Sequence, residues 1–169
     1  MSQEWNSARL TVLYGSNIPF NFNSIDKIKN GLEINQGTKL GISLADLSIV
    51  GHTLQGFVLN FRSFNSQAYI QGDVYTLPLN RIRVKAENAL GLGSGSTTWG
   101  YQDLTTDWVP LFSYSTLLFE SLDWANHQLN ISYECGKPVP FGNGSLLGEE
   151  PDSYNVEIEF EIVPTGSGF

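Results

Sequence analysis

The feature that most constrains this chain is strict alternation over residues 153–164, "SYNVEIEFEIVP". Tyr154, Val156, Ile158, Phe160 and Ile162 point one way, and Asn155, Glu157, Glu159 and Glu161 the other. A period of two belongs to a half-buried strand and cannot sit on a helix. Like charges two residues apart on a strand lie roughly 6.5 to 7 Å from one another. Water screens that repulsion, whereas burial of three unpaired carboxylates would not be survivable, so the Glu row is the wet face.

The same pattern recurs along the chain with turn residues between the segments. Strands are expected at Arg9–Gly15, Pro19–Phe22, Gly31–Ile34, Leu40–Leu44, Phe57–Phe61, Ala68–Gln71, Ile82–Ala86, Leu111–Phe112, Leu117–Glu120, Gln128–Cys135 and Tyr154–Val163. In "QLNISYEC", Leu129, Ile131, Tyr133 and Cys135 share a face. The one helical stretch is "SIDKIKN", with Ser24 as cap and Asn30-Gly31 as stop. These readings predict an all-β chain folded as one antiparallel β-sandwich, immunoglobulin-like or jelly-roll, over residues 1–169.

Charge narrows the partners. Nine Lys and Arg against 17 Asp and Glu give a net charge of −8, which repels nucleic acid. The clustered basic residues, Arg81, Arg83 and Lys85, alternate along one expected strand, where they could pair with the Glu row across neighbouring strands. No apolar run approaches the roughly 18 residues that span a bilayer, so no direct membrane insertion is expected. Charged residues make up only 15% of the chain, a balance that fits extracellular or particle-forming β proteins better than cytosolic enzymes. "MSQEWNSARL" lacks the basic start and apolar stretch of a signal peptide, so export by that route is absent or the sequence starts after a cleavage point. The sequons at Asn130 and Asn143 matter only in a eukaryotic secretory setting.

Residues that could carry chemistry are sparse. Cys135 stands alone, so no internal disulfide exists, and its place in an apolar phase makes it a small buried hydrophobe. His52 and His127 lack the spacing of a zinc site and read as strand-end or turn residues. Asp103 with Asp107, or Asp123 with Asn126, could meet in a loop, but no EF-hand spacing is present. No G-x-S-x-G elbow occurs, "GLGSGS" departs from the dinucleotide fingerprint, and Glu157 with Glu159 share one strand face instead of facing across a cleft. Neither metal nor cofactor is expected, and the chain reads as a non-enzyme. The stretch 88–112 is glycine-rich and carries Trp99, Tyr101 and Trp108, a candidate aromatic site for core packing, a protein interface or sugar stacking. A second loop, "GKPVPFGNGSLLGEEP", spans 136–151.

The last third of the chain, "NHQLNISYECGKPVPFGNGSLLGEEPDSYNVEIEFEIVP", resembles the closing section of bacterial surface β-sandwich modules of the pilin and spore-coat-U-like type, with Leu146, Leu147, Gly148, Pro151 and Tyr154 in that order. "LPLNRIRVKA" and "FNFNSIDKIKNGLEI" are similar to earlier segments of such modules. The paired cysteines many of them use are missing here. The resemblance implies an extracellular or cell-surface structural or adhesive domain that contacts a protein partner or self-assembles. Strand lending would fall to "RLTVLYG", with Leu10, Val12 and Tyr14 as its apolar residues, or to the last strand. Two alternatives stand beside it: a carbohydrate-binding module using the loop aromatics, and a viral or phage particle protein.

Overall fold

The computed structural model describes residues 7–45, 53–90, 95–115 and 125–167. The expected strand Leu117–Glu120, together with His52 and Asp123, lies outside the described residues. Eleven strands are described: β1 (Ser7–Tyr14), β2 (Leu32–Ala45), β3 (Thr53–Ser63), β4 (Tyr69–Gln71), β5 (Thr76–Pro78), β6 (Ile82–Leu90), β7 (Ser96–Thr98), β8 (Gln102–Asp103), β9 (Val109–Tyr114), β10 (Ala125–Cys135) and β11 (Ile158–Ser167). Among the described residues, one sheet runs β1-β2-β10-β6-β8, a second runs β11-β3-β9-β7, and β4-β5 form a separate hairpin. Every pairing within them is antiparallel.

The two larger sheets pack through their apolar faces, which makes the molecule the antiparallel sandwich that the alternation calls for. Leu40, Ile42 and Leu44 of β2, Val84 and Ala86 of β6, and Leu129 and Ile131 of β10 are buried from one layer. Phe57, Leu59 and Phe61 of β3, with Phe112 of β9, fill the other. The Phe57 ring lies 6.1 Å from Phe112 and 6.3 Å from the ring of His127, which is buried near the start of β10. Between Ser24 and Gly31 one helical turn forms, α1 (Ile25–Asn30): the Ser24 hydroxyl accepts from the Lys27 amide, and Gly31 ends it at φ 72°.

Four departures from the sequence reading have local causes. Gly31–Ile34 and Leu40–Leu44 are not separate strands but the two ends of β2. Between them the chain bulges at Gln36 (φ 52°), whose amide takes the Ser132 hydroxyl as acceptor at 2.9 Å. Pro19–Phe22 is not a strand, although its alternation is real: Ile18, Phe20 and Phe22 are half-buried while Pro19 and Asn21 are exposed. That segment lays its apolar phase on the core without joining a ladder. The last strand begins at Ile158 instead of Tyr154, because residues 154–157 touch a sheet only at a single bridge from Asn155 to Gln71. Finally, β7 and β8 form inside the stretch 88–112 read as a loop, and β5 forms where no strand is expected, each only two or three residues long.

A candidate cleft at the open side of the sandwich

Among the described residues β1 ends one sheet and β11 ends the other, and these two strands meet on the same side of the sandwich. Neither finishes burying its apolar residues. Ile158, Phe160 and Ile162 of β11 are partly buried against the core, and Val12, Leu13 and Tyr14 of β1 are about half exposed. A bulge between Val12 and Tyr14 splits the row expected on one face. Leu10 and Val12 pair with the inward residues Ile42 and Leu40, whereas Tyr14 pairs with the outward Lys39, whose ammonium lies 5.6 Å from its ring. All of Ser7–Tyr14 except the bulged Leu13 pairs with β2, so lending this strand would require it to leave its own sheet.

Between the layers a cavity of about 990 Å³ opens to solvent. Its walls come from the strandless segment (Ile18, Phe20, Phe22), the β4-β5 hairpin (Ile70, Leu77) and Phe160 of β11. Tyr133 and Thr38 line it, with hydroxyl oxygens 2.8 Å apart, and the Thr38 hydroxyl donates to the Gly15 carbonyl at 2.6 Å. Asp152 and Glu157 also line the cavity. Backbone amides of Tyr75 and Val74 donate to Asp152 at 2.8 Å and hold its carboxyl below the usual carboxylate range. Cys135 is buried at the same wall, where loss of hydration pushes its thiol up to about 12.

Of the three loop aromatics, Tyr101 and Trp108 do not share a surface. Trp99 is exposed. The Tyr101 ring faces Lys85 and Arg83, on the outer face of the β6-containing sheet, with their cationic groups 4.9 and 5.9 Å away. Its hydroxyl donates to Glu33 at 2.9 Å, and burial and that carboxylate together push its pKa up. Trp108 carries the Arg62 guanidinium 4.3 Å above its ring on the outer face of the other sheet.

Arg81, Arg83 and Lys85 do not pair with the Glu row, because β6 and β11 belong to different sheets. Arg83 instead binds Glu134 at 2.8 Å and Asp103 at 3.2 Å, and donates to the Phe141 and Tyr101 carbonyls. Arg81 donates to Glu149 at 2.7 Å and to the Asn143 carbonyl at 2.6 Å. Lys85 sits 3.2 Å from Glu87. Together the two arginines tie the proline-rich loop 136–149 to the sheet. Of the Glu row, Glu159 is bound by Arg62 at 2.6 Å, while Glu157 and Glu161 have no ion pair among the described residues. Asp103 is taken up by Arg83 and Asn143, away from the loop partnership with Asp107 that the sequence allowed.

Among the described residues no group of three or more His, Cys, Asp and Glu is arranged to hold a metal ion. Sequence reasoning missed the cavity and its hydroxyl pair; the alternation of Ile18, Phe20 and Phe22 was the available signal, misread as a paired strand. No protein-family model matches the chain, and no curated protein matches it.

Proposed function

We propose that the chain is a non-enzymatic structural or adhesion-type β-sandwich domain that works through protein contacts at a bacterial cell surface, taking a partner's extended strand along its β1/β11 side. The observation that carries this reading is the coincidence of two end strands with unfinished apolar burial on one side of the molecule. An unpaired strand edge offers a ready row of backbone donors and acceptors. The acidic row on β11 selects the occupant. A second copy laid antiparallel alongside, centred on Glu159, would bring Glu157, just before β11, against Glu161, a repulsive arrangement that guards the edge. An extended segment alternating apolar residues with Lys or Arg complements both the apolar seam and the charge. The low charged fraction of the chain supports the surface setting.

The test is a titration, followed by backbone amide resonances, of the folded chain with two extended peptide series that differ only in placing Lys or Glu at the polar positions. The Lys series is expected to bind and shift amides of β1 and β11, and the Glu series to stay silent. Silence of both series, with glycans quenching Trp fluorescence or the chain closing into symmetric assemblies, would replace this reading with the sugar-binding or particle-forming one.

A further inference from the structure

We propose that the cavity between the layers is a binding site for a small apolar molecule, uncharged or cationic, that carries a hydrogen-bond donor. At about 990 Å³ it lies at the upper end of the roughly 300–1,000 Å³ typical of small-molecule pockets, and its walls set apolar side chains beside a nearly equal share of polar surface.

Hydrogen counting assigns the polar character of its floor. The Thr38 hydroxyl has one hydrogen, and the Gly15 carbonyl, which only accepts, takes it. The Tyr133 hydroxyl must therefore donate to Thr38, which leaves the phenolic oxygen as an acceptor with no described residue donating to it. Burial pushes the Tyr133 hydroxyl up to about 12, so it keeps its proton near neutrality. The floor thus asks for a donor. Asp152, kept ionised by its backbone amides, and the exposed Glu157 give the lining a negative charge that repels anions. Apolar body, donor and absence of negative charge together define the ligand class. The site shares Val12, Ile158 and Phe160 with the β1/β11 seam but needs no strand addition, so the probe and peptide experiments separate the two readings.

The experiment titrates the full chain with N-phenyl-1-naphthylamine, a neutral apolar fluorophore with one N–H, and with its anionic relative anilinonaphthalene sulfonate. Saturable enhancement is expected for the neutral probe, with the anion at least about tenfold weaker, a difference of about 1.4 kcal/mol. Leu77→Trp and Ile18→Trp fill the space from two separate lining segments and are each expected to weaken the neutral probe about tenfold or more. Ile18 lies outside any strand, so the second variant decides if the first fails to fold. Tyr133→Phe keeps the shape and removes the acceptor; it is expected to weaken N-phenyl-1-naphthylamine about fivefold and to leave 1-phenylnaphthalene, which lacks the N–H, unchanged. No saturable signal on the folded chain, a signal that survives Ile18→Trp, or equal binding of the two charge types would overturn the proposal. Peptide binding without probe binding would remove this inference alone.

Discussion

At the scale of single residues, burial and pairing decide behaviour more than residue type does. Cys135 belongs to the apolar phase of β10, and burial outweighs the nearby Arg81 in setting its thiol at about 12. It is expected to stay inert to a disulfide reagent at pH 8 while the chain is folded and to react fully in denaturant, read by released chromophore. Glu134 is the opposite case, a carboxylate in the outward phase of β10 that is nonetheless buried. Burial raises its pKa despite the Arg83 partner. The folded state therefore binds its proton at higher pH than the unfolded chain does, and the contribution of Glu134 to stability falls as pH rises through that interval. Arg83→Met, which strips the partner from this buried acid, is expected to cost about 3 kcal/mol in urea unfolding and to steepen the loss with pH. Arg83→Met with Glu134→Gln should recover more than half of that cost, and the double-mutant cycle measures the coupling.

Within the elements, bulges and close backbone approaches set where side chains end up. The Gln36 bulge shifts the register of β2 against β10, whereas the shift against β1 falls in β1 itself, between Val12 and Tyr14. Pro164 sits in β11, a position tolerable because β11 is an end strand and needs only one ladder. At Gly56 the backbone of β3 runs close against β9: a Cβ there would be driven into the Tyr114 carbonyl. Gly56→Ala is expected to destabilise the chain by about 1–3 kcal/mol, seen as an earlier urea midpoint with an unchanged slope. Period-two patterning made the faces of β2, β3, β6 and β10 legible in the sequence, but not that of β9, where the consecutive Leu111 and Phe112 are both buried. It did not separate Ile18–Phe22, which lies on the core unpaired, from a true strand, since apolar alternation records burial and not the presence of a hydrogen-bonded neighbour.

Across the whole molecule, the arrangement of two sheet ends on one side shapes how copies meet. The acidic row of β11 is expected to keep the isolated chain monomeric at high concentration by sedimentation, in contrast to filaments built from β1. Replacing Glu161 alone with Lys sets a cation against Glu157 at both ends of an antiparallel pair of copies centred on Glu159. That variant is expected to self-associate, and the association to weaken with salt. Wild-type filaments would contradict the guarding role of the row.

The sequence by itself determined the β class, the inward face of most strands, the Ser24 cap with its Gly31 stop, and the burial of Cys135. Each depends on residues within a few positions of one another, where alternation and capping act directly. Only the tertiary structure decided which strands neighbour which, and with that the fate of the charged rows. Glu159 meets Arg62 and not β6, Arg83 meets Glu134, and Tyr101 and Trp108 part to opposite faces. These pairings join residues tens of positions apart, and a period of two records a face without naming a partner. The cavity belongs to the same class: it is a volume left among Ile18–Phe22, the β4-β5 hairpin and β11, and no one of these segments encodes it alone.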